Sequence, residues 1–479
     1  MPETVKTRIP ARMDRLPWSP WHWLVVLGLG TVWILDGLEV TIVGAIASRL
    51  SEQDALGISE YQVAVGGTFY IAGAAVGALG FGYLTDRLGR KKLFIASLGL
   101  YLLATVLTGF TWSAYSFWFF RFLTGLGIGG EYAAINSAID ELIPAKYRGR
   151  VGLIINGSYW LGAAFGAALS GLLLDKDLFG ADLGWRLAFF LGAVLAIGIM
   201  LVRRHVPESP RWLMIHGRND EAEQLVDGIE REIERKTWKS LEPVGADDEL
   251  EIVQRRSTNF VEIARVLFRD YPRRSLLGFT LLATQAFVYN AVIFTFSLVL
   301  TGVFDVDSSV AGLYLIPFGI ANFLGVLILG RLFDTVGRRP MISGTYFVAA
   351  LGLAALAALL AGDALGTWGY IALLCGAFFF ASAAASAGYL TVSETFPLEI
   401  RAMAIALFYA ISTGIGGAVG PLLFGRLLGG DDPAGVAVGY WIAAGLMAFA
   451  AIIEIVFGVD AEQQSLEDVA EPLSAQEAG

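Results

Sequence analysis

Apolar stretches of about 20 residues recur along this chain, each the length a helix needs to cross a hydrocarbon core of roughly 30 Å. Twelve can be placed, near residues 21–47, 61–84, 93–112, 114–139, 150–174, 184–204, 274–300, 309–332, 341–361, 367–392, 402–428 and 436–459. The runs are continuous rather than alternating. That predicts helices and not barrel strands, because backbone in lipid has to satisfy its hydrogen bonds within its own segment. The first run starts near Trp21 and is longer than the 7–15 residues of a signal-peptide core, so it reads as an uncleaved span. Only 16% of the 479 residues are charged, against about 25% in soluble domains. Disorder and an ordinary soluble enzyme are excluded. The lone cysteine, Cys375, leaves no intrachain disulfide or cysteine metal cluster. No nucleophile–base pair, metal motif or phosphate loop stands out, so neither a cofactor nor an enzyme is expected. No basic domain offers itself to nucleic acid.

Short loops carry their bases on alternate sides. Arg87, Arg90, Lys91 and Lys92 follow the second span, Lys146, Arg148 and Arg150 the fourth, Arg338 and Arg339 the eighth, and Arg401 the tenth; the opposite loops carry Asp175, Asp182, Asp305, Asp307 and Asp363. By the positive-inside rule both termini are cytoplasmic, in a multi-pass protein of the cell membrane. The expected units are a cytoplasmic segment 1–20, a six-helix bundle 21–204, a cytoplasmic insert 205–273 with short helices, a second bundle 274–459 and a disordered acidic tail 460–479.

The halves repeat. Gly82-Tyr-Leu-Thr-Asp86-Arg-Leu-Gly89-Arg90 matches Gly330-Arg-Leu-Phe-Asp334-Thr-Val-Gly337-Arg338, and Glu141-Leu-Ile-Pro144 with Arg148 matches Glu394-Thr-Phe-Pro397 with Arg401. Two patterns at nearly one offset, after equivalent spans, predict an all-α integral membrane fold of two pseudo-symmetric six-helix bundles around a central site. Residues 82–91, the Arg121/Gly125/Gly127/Gly129 run, the Glu141–Gly149 pattern and Pro207-Glu208-Ser209-Pro210-Arg211 resemble the signatures of the major facilitator superfamily and its sugar-porter branch. Gly129-Gly130-Glu131-Tyr132, with Asp36 and Glu39, is more similar to the proton-coupled metabolite and organic-acid branches. The resemblance implies alternating access, in which two bundles rock about the site.

Charges inside spans are costly and therefore functional candidates. Glu39 and Arg121 lie roughly 12 Å and 10 Å from the outer ends of their spans, at matching depth, with Asp36 a turn deeper on nearly the same face. Glu131 lies further toward the cytoplasm. Asp36, Glu39, Arg121 and Glu131 are the proton-coupling candidates, and the resemblance pairs Glu39 with Arg121; a static ion pair, or an Arg121 that holds a solute carboxylate, are the alternatives. Asp86, Arg87, Arg90, Glu141, Arg148, Glu208, Asp334, Arg338, Arg339, Glu394 and Arg401 are expected to form a cytoplasmic gate that closes when the bundle ends meet. The resemblance puts solute contacts on spans whose polar or aromatic residues are Asn156, Tyr159, Trp160, Gln285, Tyr289, Asn290, Asn322 and Tyr389, with Gln285 and Asn290 the leading pair. Small residues four apart, such as Ser158, Gly162, Gly166 and Ser170, provide close helix contacts. The expected function is proton-coupled symport of a small polar solute, an organic acid or sugar-like metabolite, by a monomer in the bilayer. An uncoupled facilitator, an exporter and a transport-dead sensor are the alternatives.

Overall fold

A computed structural model describes residues 4–50, 52–203, 207–245, 248–253, 260–428 and 433–473. Parts of the insert (205–206, 246–247 and 254–259) and of the tail (474–479) lie outside the described residues. Each predicted span is a helix: α1 (Pro20–Leu50), α2 (Glu60–Leu88), α3 (Arg90–Thr108), α4 (Ala114–Leu142), α5 (Ala145–Gly157 and Tyr159–Leu173, interrupted at Ser158), α6 (Lys176–Arg203), α7 (Pro272–Phe304), α8 (Leu315–Thr335), α9 (Arg338–Ala361), α10 (Thr367–Thr395), α11 (Arg401–Leu428) and α12 (Pro433–Phe457). Among the described residues nine spans are long and apolar enough to cross a membrane on length and composition alone. α4 is not one of them; it carries Arg121, Glu131, Asp140 and Glu141.

The repeat in the sequence becomes a repeat in packing. α1–α5, α2–α4, α3–α4 and α3–α6 pack in the first half, and α7–α11, α8–α10, α9–α10 and α9–α12 in the second. The halves meet along two equivalent seams, α2 on α11 and α8 on α5. Apolar burial alone would not bring helices this close in lipid; small residues do. Where α1 crosses α5, a Cβ on Gly162 would overlap the Ile34 carbonyl, and one on Gly37 the Tyr159 carbonyl. The two backbones touch with no side chain between them.

Both terminal segments and the insert gather at one end of the bundles, the base. In the insert, helix Asn219–Thr237 buries Ala222, Val226, Ile229 and Ile233, one stripe at 3–4 spacing, and turns its charges outward. Helix Pro210–Ile215 starts at an N-cap, Ser209, whose Oγ accepts from Trp212 N at 3.0 Å. The N-terminal segment is built into this unit. Thr4–Thr7 pairs antiparallel with Leu250–Val253, the one two-stranded ribbon among the described residues. Behind it, Arg12 bonds Glu230 at 3.0 and 2.6 Å and Asp227 at 2.6 Å. Arg15 also reaches Glu230. Burial would push the Glu230 carboxyl up, but hydrogen bonds from Arg12 and Arg15 outweigh it and hold it below the usual carboxylate range.

The tail corrects the expectation of disorder. Its described part, 460–473, turns through a short helix, Leu466–Val469, and buries Leu466, Val469 and Leu473. Three apolar anchors and the bonds described below supply what its polar composition conceals.

Two outcomes follow from this packing. Gly162→Ala should lower stability by about 1–3 kcal/mol, the usual cost of overpacking, read as a lower midpoint of unfolding in detergent. A depressed carboxylate stabilises above its unfolded pKa and loses that stabilisation as pH falls through its folded one. Protection of residues 4–15 against amide exchange, taken relative to their intrinsic rates at each pH, should therefore hold at neutral pH and be lost only below the ordinary glutamate range; loss of protection already at pH 6–7 would contradict the Glu230 anchor.

Candidate functional site: buried carboxylates around one arginine

α1 places Asp36 and Glu39 three residues apart, hence on one face, and α4 places Arg121 opposite them. Glu39 Oε1 accepts a hydrogen bond from Arg121 Nη1 at 2.5 Å. The arginine lies over the Tyr70 ring, 4.4 Å from its centroid. Asp36 is held differently: Tyr70 OH donates to Oδ1 at 3.1 Å and Tyr132 OH to Oδ2 at 2.6 Å. Exposure is 2% for Asp36, 3% for Glu39 and 2% for Arg121, so the cluster sits in protein interior. Glu131 is equally buried, and neither of its carboxyl oxygens has a hydrogen-bond partner among the described residues. One guanidinium can neutralise one carboxylate, and two tyrosine hydroxyls solvate a second. The third has neither, and an unpaired ionised acid at this depth costs several kcal/mol. The cluster is a place where a proton or another cation is needed for charge balance.

An aromatic group spans both bundles beside it. Tyr132 of α4 stacks on Tyr409 of α11, with centroids 4.3 Å apart at 22°. Trp33 lies edge-on to Tyr132 at 4.5 Å and to Tyr389 at 5.9 Å. The Gln285 amide faces Tyr389. Tyr159 packs on Trp160, and Trp160 on Tyr289 across the seam at 5.1 Å. The other predicted solute residues are engaged within the protein. Asn290 Nδ2 donates to Ala286 O at 2.7 Å, and Asn156 donates to Asn136 Oδ1 at 3.1 Å and to Gly152 O at 2.9 Å. Tyr289 OH donates to Asn322 Oδ1 at 2.8 Å while Asn322 Nδ2 donates to Phe318 O, so both ends of that amide are used.

At the base the acids and arginines interlock twice over. Arg90 bonds Glu141 at 2.9 Å and lies 3.4 Å from Asp86. Arg338 bonds Glu394 at 3.0 Å and Asp334 at 2.9 Å. The bundles are then joined reciprocally. Asp86 accepts from Met403 N at 3.1 Å, at the start of α11; Asp334 accepts from Gly149 N and Arg150 N at 3.0 and 2.9 Å, at the start of α5. Arg148 faces Glu394 at 3.8 Å and Arg401 faces Glu141 at 3.9 Å, each across the seam. Glu208 accepts from Arg90 N and Lys91 N and so caps α3. The base is closed.

The described residues hold no metal cluster of three or more candidate ligands. The sequence pattern of the family described as "Sugar (and other) transporter" matches residues 38–473. The chain belongs to the sugar transporter family. It is 28% identical over 465 residues to the niacin transporter NiaP of Acinetobacter baylyi, covering 96% of this chain and 99% of that one. It is 26% identical to the putative metabolite transport protein YaaU of Escherichia coli, covering 95% and 96%. The proton:xylose symporter XylE bound to 6-bromo-6-deoxy-D-glucose superposes with a TM-score of 0.74 at 21% identity, over 93% of this chain and 98% of that one. The fold is that of the major facilitator superfamily, and the protein is a multi-pass membrane transporter, a class without enzymatic chemistry.

In this sugar-transporter relative two predicted gate residues stand apart. Arg87 lies over the ring of Tyr83 on its own helix, 4.0 Å from the centroid. Arg339 bonds the Ile455 carbonyl of α12. Arg87 follows Asp86 and Arg339 follows Arg338 in the chain, but consecutive helical residues point about 100° apart. Residues that the sequence reading did not single out complete the site. Tyr70, Tyr132 and Trp33 surround Asp36; Trp33 shares a face with it at i−3, a spacing that could have flagged it. At the base, Glu462 of the tail accepts from Arg338 N at 3.2 Å, the counterpart of Glu208. Asp140 is buried beside Arg401, Glu394 and Arg148.

Glu394→Gln keeps the shape of the base but removes one counter-charge from Arg338 and one from Arg148. Breaking such a buried pair costs about 3–5 kcal/mol, so the unfolding midpoint in detergent should fall clearly. An unchanged midpoint would mean the pairs do not hold the base.

Proposed function

We propose that the protein is a proton-coupled symporter that carries a small organic acid into the cell across the cell membrane as a monomer, with both termini cytoplasmic. The observation that carries this reading is the excess of buried carboxyls over arginine at the centre: Asp36, Glu39 and Glu131 against Arg121 alone. A proton on Glu39 would release the guanidinium, whose planar fork suits a solute carboxylate. Solute and proton then enter together and leave together, because each restores the charge balance the other disturbs. Trp33, Tyr132, Tyr389 and Tyr409 supply flat apolar faces beside Asp36, one helical turn from the Glu39–Arg121 pair, which favours a planar ring acid over an aliphatic one. The full-length relative named as a niacin transporter supports the same class. Gln285, Tyr159 and Trp160 are the remaining solute contacts, and Gln285 carries an amide for a ring nitrogen or hydroxyl. The gate pairs would form when the centre faces outward and separate when it faces inward, a two-state equilibrium that solute and proton bias.

Proteoliposomes with an imposed pH gradient test the reading against a panel of ring carboxylates and sugars. Wild-type protein should accumulate a ring acid, with the gradient collapsed by a protonophore. Glu39→Gln should lose gradient-driven accumulation and keep counterflow exchange. Equal loss of both, or wild-type uptake that ignores the gradient, would reject coupling through Glu39. Arg121→Lys should impair both, since a point charge does not reproduce the fork.

A further inference from the structure

The N-terminal segment ends its short helix, Ile9–Asp14, against the base gate. Asp14 Oδ1 accepts from Arg148 Nη2 at 3.2 Å and from the Ala145 backbone N–H at 3.1 Å, in the first turn of α5. Its Oδ2 accepts from Arg211 Nη2 at 2.9 Å. Arg211 is wholly buried; its Nη1 donates to the Glu141 carbonyl at the end of α4, and its Nε to Glu467 of the tail at 2.9 Å. Arg148 is the arginine that faces Glu394 across the seam, and its Nη1 also donates to the Gln464 carbonyl at 3.2 Å. One carboxylate from outside the bundles therefore touches the N-terminus of α5, the arginine that bridges the bundles and the arginine that ties α4 to the tail. The segment that carries it is anchored elsewhere, by the ribbon Thr4–Thr7 with Leu250–Val253 and by Arg12 and Arg15 on Glu230.

We propose that Asp14 is a positioning residue of the gate, delivered by the N-terminal strap, so that the base closes fully only while the strap is docked on the insert. Glu394 is already shared between Arg338 and Arg148, and a buried guanidinium that loses a counter-charge is costly. With Asp14 in place Arg148 is balanced from both sides and the closed base is favoured. With Asp14 withdrawn, the cross-seam contact has to be made by an under-neutralised arginine, and the open base gains population. The insert, ribbon and strap thus form a lever through which a soluble unit adjusts the transport cycle. The inference rests on the contacts at the base and not on proton coupling, so the behaviour of Glu39→Gln leaves it untouched.

The test is a spin-label distance measurement between exposed positions at the ends of opposite bundles, Lys92→Cys on α3 and Thr335→Cys on α8, with Cys375→Ser as background. The parent should give one short-distance population. Asp14→Asn should add a longer one, and Asp14→Glu should remove it again, which a merely structural role would not do. Arg12→Gln with Arg15→Gln, in a chain that also lacks residues 2–7 and hence the ribbon strand, frees the strap without touching the gate; it should add the same longer population and serves should Asp14→Asn fail to fold. Unchanged distances in the Asp14→Asn protein, or in this strap-release variant, would overturn the proposal.

Discussion

Two aspartates hold the halves of this protein to each other. Asp86 closes α2 and Asp334 closes α8, and each reaches across to backbone N–H groups near the start of a helix of the other bundle, Met403 in the first turn of α11 and Gly149 and Arg150 in the second turn of α5. A helix N-terminus welcomes a carboxylate, both through its orphan donors and through its dipole. The arrangement is reciprocal because the bundles repeat. It also explains why each aspartate has an arginine four residues later on the same chain: Arg90 and Arg338 orient the acids and also bond Glu141 and Glu394.

The centre obeys the opposite logic. At the base, Asp86, Glu141, Asp334 and Glu394 are each matched by an arginine. Around Arg121 the charges are mismatched, and the aromatic rings of Tyr70 and Tyr132 carry part of the electrostatic work through hydroxyl and ring face. A matched network stores a conformation, and a mismatched one responds to what enters it. The chain places both on the same helix: α4 carries Arg121 and Glu131 above, Asp140 and Glu141 below.

Much of this could be read before any coordinates. The apolar period located all twelve helices, and the paired Gly–Asp–Gly–Arg patterns identified equivalent ends. Counting residues from the ends of the spans brought Glu39 level with Arg121, and depth in a helix is linear in sequence. What depth does not report is rotation relative to other helices. That is why Tyr70 and Tyr132 on Asp36 were not foreseen, and why Arg87 and Arg339 were grouped with neighbours that face elsewhere. Composition misled in the tail. A stretch rich in Glu, Gln, Ser and Asp reads as solvated chain, whereas Leu466, Val469 and Leu473 are enough to seat it once a partner surface exists.

That seat fixes the last residues of the described chain to the second bundle. Glu462 caps α9, the Gln463 side chain donates to the Asp334 carbonyl at 2.7 Å, Arg274 donates to the Val469 carbonyl at 2.9 Å, and Leu473 N donates to Glu399 at 3.1 Å. A fluorescent reporter or purification handle spliced in upstream of Leu473 would pull at these bonds, so any such graft belongs after it.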